Sequence, residues 1–313
     1  MYRKILVPLD GSSFAEQALP WAVSIAKRAD AALEVLHVYS PLPAIYGDDA
    51  SVSISSLEAT LRKQKEGYLE QIASRVLDVT GMRVKARFFE GDTAGTVARV
   101  ASNTEVDMVV MTTHARGPFG RLWLGSVADE LIRHLPMPLF LVPPREGLAE
   151  LDADRFIRQV LLPLDGTALA EQMLKPALAL GKLMNSDYTL LRVIRPILTF
   201  SFPLQGSELG AEAESMMSRV KAIQTDLRKE AYAYLEHVVR KCNSGALAAK
   251  IMVAEDEQPG VAILRTADET GADLIALETH GRRGLSRLLM GSVADKVVRG
   301  AKVPVLVQRP VYE

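Results

Sequence analysis

The residues best suited to chemistry fall in two short stretches, and each stretch occurs twice. Asp10-Gly11-Ser12 follows the run Ile5-Leu6-Val7-Pro8-Leu9, and Asp165-Gly166-Thr167 follows Val160-Leu161-Leu162-Pro163-Leu164. The other stretch closes on a Gly-Ser pair. Thr113-His114-Ala115-Arg116 leads to Gly125-Ser126-Val127, and Thr279-His280-Gly281-Arg282 leads to Gly291-Ser292-Val293. Gly281 and Gly284 carry no Cβ, so their backbone amides can approach a ligand closely. Ser292 is placed to cap the helix that follows, leaving amide N–H groups at the positive end of its dipole. Such a helix start is an anion site suited to phosphate. Arg282 and Arg283 would add charge-assisted hydrogen bonds to phosphate oxygens.

The same residues have plainer uses. Asp, Gly and Ser all favour turns and helix caps, so Asp10-Gly11-Ser12 also reads as a simple turn. Arg116, Arg121, Arg282, Arg283 and Arg287 also fit a solvated loop face. His114 and His280 have no evident acid or nucleophile beside them, so ligand contact or loop packing is expected rather than catalysis. No catalytic residue is assigned. His37, His134 and His237 lack metal-ligand spacing, and no metal site is expected. No Gly-x4-Gly-Lys-Ser/Thr loop, no Gly-x-Gly-x-x-Gly after the first strand and no Gly-x-Ser-x-Gly elbow occurs. Their absence argues against a fast ATPase, a dehydrogenase and an esterase.

The elements that must position these residues are repeated with them. Pro8 returns as Pro163, and Ala15-Glu16-Gln17 as Ala170-Glu171-Gln172, at an offset of 155. Gly125-Ser126-Val127-Ala128-Asp129 returns as Gly291-Ser292-Val293-Ala294-Asp295 at an offset of 166, so the second copy carries 11 extra residues. Arg195–Arg219, with Pro196, Pro203 and Gly206, is the stretch that best accommodates them.

In the first copy, apolar runs at Lys4–Leu9, Leu33–Val38, Arg83–Phe89, Met108–Met111 and Pro138–Val142 read as strands buried on both faces. Helical stretches at Phe14–Ala29, Leu57–Val79, Thr93–Ser102 and Ser126–His134 lie between them. The second copy repeats the runs near Ile157–Leu162, Tyr188–Ile194, Ala248–Val253, Leu274–Leu277 and Val303–Val307, with a long helical stretch at Met216–Cys242. This alternation predicts two tandem α/β domains, each a five-stranded parallel sheet. The expected boundaries are 1–146 and 157–313, with 147–156 as linker. The apolar last strands, Leu139–Val142 and Val305–Val307, are expected to pair with each other across a pseudo-two-fold. In such sheets a ligand sits beyond the carboxyl ends of the strands, where both chemical stretches fall.

Composition narrows the classes further. The chain has 313 residues, 48% hydrophobic and 24% charged, the balance of a globular protein. A net charge of −1 rules out a strong electrostatic case for nucleic acid, which would want a basic face. No apolar run reaches the ~18–20 residues that span a bilayer. The N-terminal run reaches Asp10 too soon for a signal peptide. The single cysteine, Cys242, excludes an internal disulfide and a cysteine-based zinc site. A cytoplasmic location is expected.

Pro-Leu-Asp-Gly-Ser after strand one, Thr-His-Gly-Arg-Arg-Gly, and Gly-Ser-Val-Ala-Asp before the last helix together resemble the universal stress protein family. The resemblance runs through the chain twice, in the manner of tandem members. It implies a Rossmann-like sheet of the adenine-nucleotide-binding type. The ATP-binding members carry Gly-x2-Gly-x9-Gly-Ser/Thr. Laid on the second copy, this pattern falls on Glu278, Gly281, Gly291 and Ser292; on the first it falls on Thr112, Ala115, Gly125 and Ser126. By the same resemblance Asp10 and Asp165, beside Pro8 and Pro163, would contact the adenosine moiety. Val38 and Val193 would meet the adenine through backbone groups. Thr113, His114, Ala115, Arg116, Gly125, Ser126 and Val127 would line one site, and Thr279, His280, Gly281, Arg282, Gly291, Ser292 and Val293 the other. At Glu278 a carboxylate would either repel a triphosphate or face a ribose hydroxyl.

The implied protein binds ATP, with ADP or AMP as alternatives and Mg2+ left open, and has a regulatory role rather than fast turnover. Its second site is the better one. A protein partner and a homodimer are open. The competing reading is an interaction scaffold of the same fold that binds no nucleotide.

Overall fold

The computed structural model describes residues 2–40, 50–113, 124–145, 147–197, 207–242, 249–279 and 290–310. The first half runs β1 (Lys4–Pro8), α1 (Ser13–Glu16), α2 (Leu19–Ala29), β2 (Ala32–Tyr39), α3 (Ala50–Thr80), β3 (Val84–Glu90), α4 (Thr93–Asn103), β4 (Met108–Thr112), α5 (Ser126–His134) and β5 (Leu139–Val142). The second half repeats it as β6 (Gln159–Pro163), α6 (Ala168–Glu171), α7 (Leu174–Met184), β7 (Asp187–Ile194), α8 (Ser207–Cys242), β8 (Ala249–Glu255), α9 (Pro259–Thr270), β9 (Leu274–Glu278), α10 (Ser292–Gly300) and β10 (Val305–Gln308).

Within each half the strands pair in parallel, in the order β3-β2-β1-β4-β5 and its counterpart β8-β7-β6-β9-β10. Central strands have apolar side chains on both faces because helices cover both: Ile5, Leu6 and Val7 are all fully buried. The outer strands β3 and β8 depart from the expectation of burial on both faces. As edges they are half-exposed and carry charge, including Lys85 and Glu90 on one and Lys250 and Glu255 on the other.

One core lies under α2, α3, α7 and α8, and the other under α4, α5, α9 and α10; each draws residues from both halves. The two last strands pair as expected. Leu139, Phe140 and Leu141 of β5 lie antiparallel to Val307, Leu306 and Val305 of β10, giving one ten-stranded sheet. The connecting segment is fastened down. Gln17 accepts from Arg145 N at 2.7 Å and donates to Gly147 O at 3.0 Å. Arg28 Nη1 and Nη2 donate to Asp154 Oδ1 and Oδ2, both at 2.8 Å, and Tyr2 donates to Pro176 O at 2.9 Å across the halves.

Three helix boundaries differ from the sequence reading. Phe14–Ala29 is not one helix but two, α1 and α2. Pro20 has no N–H to give to Glu16, so Gln17 and Ala18 close on Phe14 and Ala15 before the helix restarts. Pro176 imposes the same break between α6 and α7. The other differences are the starts of the long helices: α3 begins at Ala50 rather than Leu57, and α8 at Ser207 rather than Met216. Tyr68, Arg75 and Arg62 of α3 match Tyr234, Lys241 and Arg228 of α8 at the offset of 166. The inserted residues therefore all precede Arg228. Among the described residues no helix is long and apolar enough to cross a membrane.

Candidate functional site

In each half the chain lays β2 and β3 to one side of β1, then returns to lay β4 and β5 on the other. The carboxyl ends of β1 and β4, or of β6 and β9, therefore flank a switch in strand order, where a crevice opens. Pro8 and Pro163 end the first strands there. Leu9 N and Leu164 N continue the pairing to Leu36 O and Leu191 O, both at 2.8 Å.

The chain then turns sharply at Gly11 (φ 89°) and Gly166 (φ 82°), a left-handed conformation that glycine adopts without strain. Asp10 Oδ1 accepts from Ser12 N at 2.9 Å, and Asp165 Oδ1 from Thr167 N at 2.9 Å. Ser12 Oγ and Thr167 Oγ1 in turn cap α1 and α6 by accepting from Ala15 N and Ala170 N. The turn-and-cap role of these residues is thus real, and it fixes the two carboxylates at the sheet edge. A donor beneath each turn holds the preceding carbonyl. In the first half His37 Nδ1 donates to Leu9 O at 2.8 Å; in the second, Arg192 Nη1 donates to Leu164 O at 3.2 Å. His37 is buried, and burial lowers its pKa from the usual value, so it serves as a neutral donor.

The Gly-Ser pairs sit opposite. Gly125 N donates to Thr113 O at 2.9 Å and Gly291 N to Thr279 O at 2.7 Å. Thr113 N and Thr279 N reach across to Val142 O and Gln308 O. These bonds bring the start of the last helix back over the end of the fourth strand. The caps differ from the expectation that Ser292 is the capping residue. Gly291 (φ −62°, ψ 145°) and Gly125 (φ −62°, ψ 146°) are the N-caps, with Ser292 and Ser126 inside the first turn. A glycine cap has no side chain to accept from that turn. The N–H groups of Ser292, Val293 and Ala294 thus receive no side-chain cap, the arrangement that favours an anion.

Val38 and Val193, near the ends of β2 and β7, pack with Val127 and Val293 into the core on the α5 and α10 face. The structure thus brings Pro8, Asp10, Val38, Thr113, Gly125, Ser126 and Val127 to one sheet edge. It does the same for Pro163, Asp165, Val193, Thr279, Gly291, Ser292 and Val293. His114, Ala115, Arg116, His280, Gly281 and Arg282 lie outside the described residues.

Glu278, at the first glycine position of the pattern, is the last residue of β9 and is buried. Among the described residues neither carboxyl oxygen has a well-formed hydrogen-bond partner, and the adjacent Thr279 backbone N–H offsets the effect of burial only in part. Burial pushes its pKa up to about 9, so it is a neutral acid at neutral pH and adds no charge against a phosphate. Its neighbour Leu277 packs on the α9 and α10 face, while Ala276 packs on the other. Strand alternation therefore turns Glu278 away from α10, towards the α6 and α7 face.

One cluster beside the site escaped the motif reading. Glu16 accepts from Tyr68 Oη at 3.2 Å and pairs with Arg75. Glu171 pairs with Lys241 at 3.0 Å, and burial followed by Glu171 itself raises the pKa of the adjacent Tyr234. These pairs tie the short helix after each aspartate turn to the long helix. The signal was present in the repeat, because Glu16 and Glu171 recur at one offset and Tyr68 and Tyr234 at the other. Among the described residues no group of three or more His, Cys, Asp and Glu side chains gathers in metal-binding geometry.

Comparison with known proteins matches this architecture. The profile of the "Universal stress protein family" fits residues 1–143 and again residues 157–309. A universal stress protein of Mycolicibacterium smegmatis is 26% identical over 308 residues, covering 98% of this chain and 97% of its own. One from Thermus aquaticus is 30% identical over 143 residues, 45% of this chain and 99% of its own. The crystal structure of a universal stress protein from Archaeoglobus fulgidus superposes with a TM-score of 0.62 at 17% identity, covering 98% of this chain and 96% of that one, and shares its fold. With the profile matched twice and nearly end to end, the chain belongs to the universal stress protein family, and it holds two copies of the family's domain.

Proposed function

We propose that this protein binds an adenine nucleotide, ATP in the first instance, at the carboxyl edge of its second half, and that occupancy serves regulation rather than fast turnover. The observation that carries this reading is the glycine-capped start of α10 set beside the Asp165 turn at the switch in strand order. Uncapped amides at a helix N-terminus suit phosphate, and a carboxylate fixed in the neighbouring turn suits ribose hydroxyls. The second half keeps Gly281, Gly291 and Ser292 of the pattern carried by the ATP-binding members of the family. The first half has Thr112 and Ala115 at two glycine positions, which makes it the weaker site. Glu278, neutral through burial, does not oppose a triphosphate.

Mg2+ would arrive with the triphosphate, whose oxygens are the ligands a hard cation prefers. The described residues gather no carboxylate cluster that would hold it independently. Purified protein, denatured by heat and cleared of precipitate, should release an adenine nucleotide detectable by anion-exchange chromatography and mass spectrometry. Protein that releases none, and that gives no heat on titration with ATP or MgATP, would refute the proposal.

A further inference from the structure

The long helix of the second half extends well past the sheet it packs on. Arg228 Nε lies 3.7 Å from Glu255 Oε1, the last residue of β8, so Arg228 marks the level of the sheet's carboxyl edge. Residues 207–227 of α8 continue beyond that edge for about 30 Å. In the first half Arg62 reaches Glu90 at 2.7 Å in the corresponding place, and only residues 50–61 of α3 precede it. Both halves thus project past the sheet, and the insertion lengthens the projection of the second.

The projecting segment is not polar all round. Met216, Val220, Ile223 and Leu227 follow one another at spacings of four, three and four, the heptad pattern of a coiled-coil seam. The seam continues directly into Ala231, Leu235 and Val238, which α8 buries against the sheet. Past the edge it is only partly covered among the described residues: Val220 and Leu227 are half-buried, beside Gln224, which accepts from Ile197 N at 3.0 Å, whereas Met216 is 65% and Ile223 51% exposed. Bare apolar side chains in register mark an interaction surface.

We infer that this segment pairs antiparallel with the same segment of a second copy of the chain. A two-fold axis between Lys221 and Ala222 sets Met216 against Leu227 of the second copy, and Val220 against its Ile223. Arg219 and Asp226 flank the seam, so the arginine of each copy faces the aspartate of the other, twice per dimer. Among the described residues Asp226 pairs with Lys229 at 3.2 Å, a highly exposed pair that is readily exchanged. Charge and apolar spacing therefore both select a second copy in this one register.

Analytical ultracentrifugation of the full chain tests this. The wild type should sediment as a reversible dimer. Ile223→Glu should give a monomer with unchanged circular dichroism, because Ile223 is 51% exposed and belongs to neither core. Arg219→Asp should weaken the dimer about tenfold or more, and the Arg219→Asp/Asp226→Arg double variant should restore it. A monomeric wild type at the highest soluble concentration overturns the inference. So does a dimer that survives Ile223→Glu, and so does an Arg219→Asp variant that dimerises normally or is not rescued.

Discussion

At the scale of single residues, Glu278 shows how far environment outruns identity. Sequence offered a charged group beside a phosphate cradle, whereas the fold buries the side chain, turns it to the opposite face and keeps its proton on. Its pKa is about 9 in the folded chain against 4.5 for the free group. Between those values the unfolded chain ionises while the folded chain does not. Glu278 therefore costs nothing below about pH 4.5, costs increasingly more as pH rises, and levels off above pH 9. Replacing it with the neutral isostere in Glu278→Gln should raise stability by about 1–3 kcal/mol at pH 7 and flatten the fall in stability between pH 5 and 9. Denaturant unfolding across that pH range checks it; parallel curves for the two proteins would show that Glu278 is ionised in the fold. Burial of this kind is not legible locally, because it depends on which helix covers the strand end. The aspartate turns were legible, since Asp-Gly-Ser and Asp-Gly-Thr carry their own backbone chemistry. Gly181 was not: its missing Cβ makes room for Tyr188 Oη, from a different element.

At the scale of elements, the central strands were announced by runs that are apolar throughout because both their faces are buried. The charged, half-exposed edges β3 and β8 were read as strands but wrongly as buried ones. Two of the three misread helix boundaries have identifiable reasons. Pro20 sits within an otherwise periodic stretch and breaks it. Residues 207–215, Ser-Glu-Leu-Gly-Ala-Glu-Ala-Glu-Ser, carry no apolar stripe that would signal a helix. The capping residues matter more than their size suggests, since α1 and α6 are single turns that hold the aspartates in place. Thr167→Ala removes both the cap on Ala170 N and the hydroxyl that donates to Asp165 Oδ1 at 2.6 Å. It should cost about 1 kcal/mol of stability and loosen nucleotide binding, while Thr167→Ser retains both bonds. Thermal melts with and without ATP distinguish these outcomes. An alanine variant with unchanged ligand-induced stabilisation would show that the cap does not position the site.

At the scale of the whole molecule, duplication was readable in full, and so was the pairing of the two last strands, because an apolar edge needs a partner. Two cores that cross the midline and a β5–β10 ladder bind the halves more firmly than the connecting segment does. A protease site introduced at Leu148, which is 82% exposed, should allow cleavage without separation, so the cut chain should elute from gel filtration at its original volume. Halves that elute apart would show that the connection, not the sheet, holds them. The proposed inequality of the two edges, read from Thr112 and Ala115 in the first half against Gly281 in the second, is where the proposal is most exposed to test. The direct measurement is calorimetric titration of ATP into the full chain, with Asp165→Ala and Asp10→Ala compared against wild type. The account predicts a binding site that Asp165→Ala weakens by about tenfold or more and that Asp10→Ala leaves intact. Equal affinity in wild type and Asp165→Ala, or no binding at all, would contradict it.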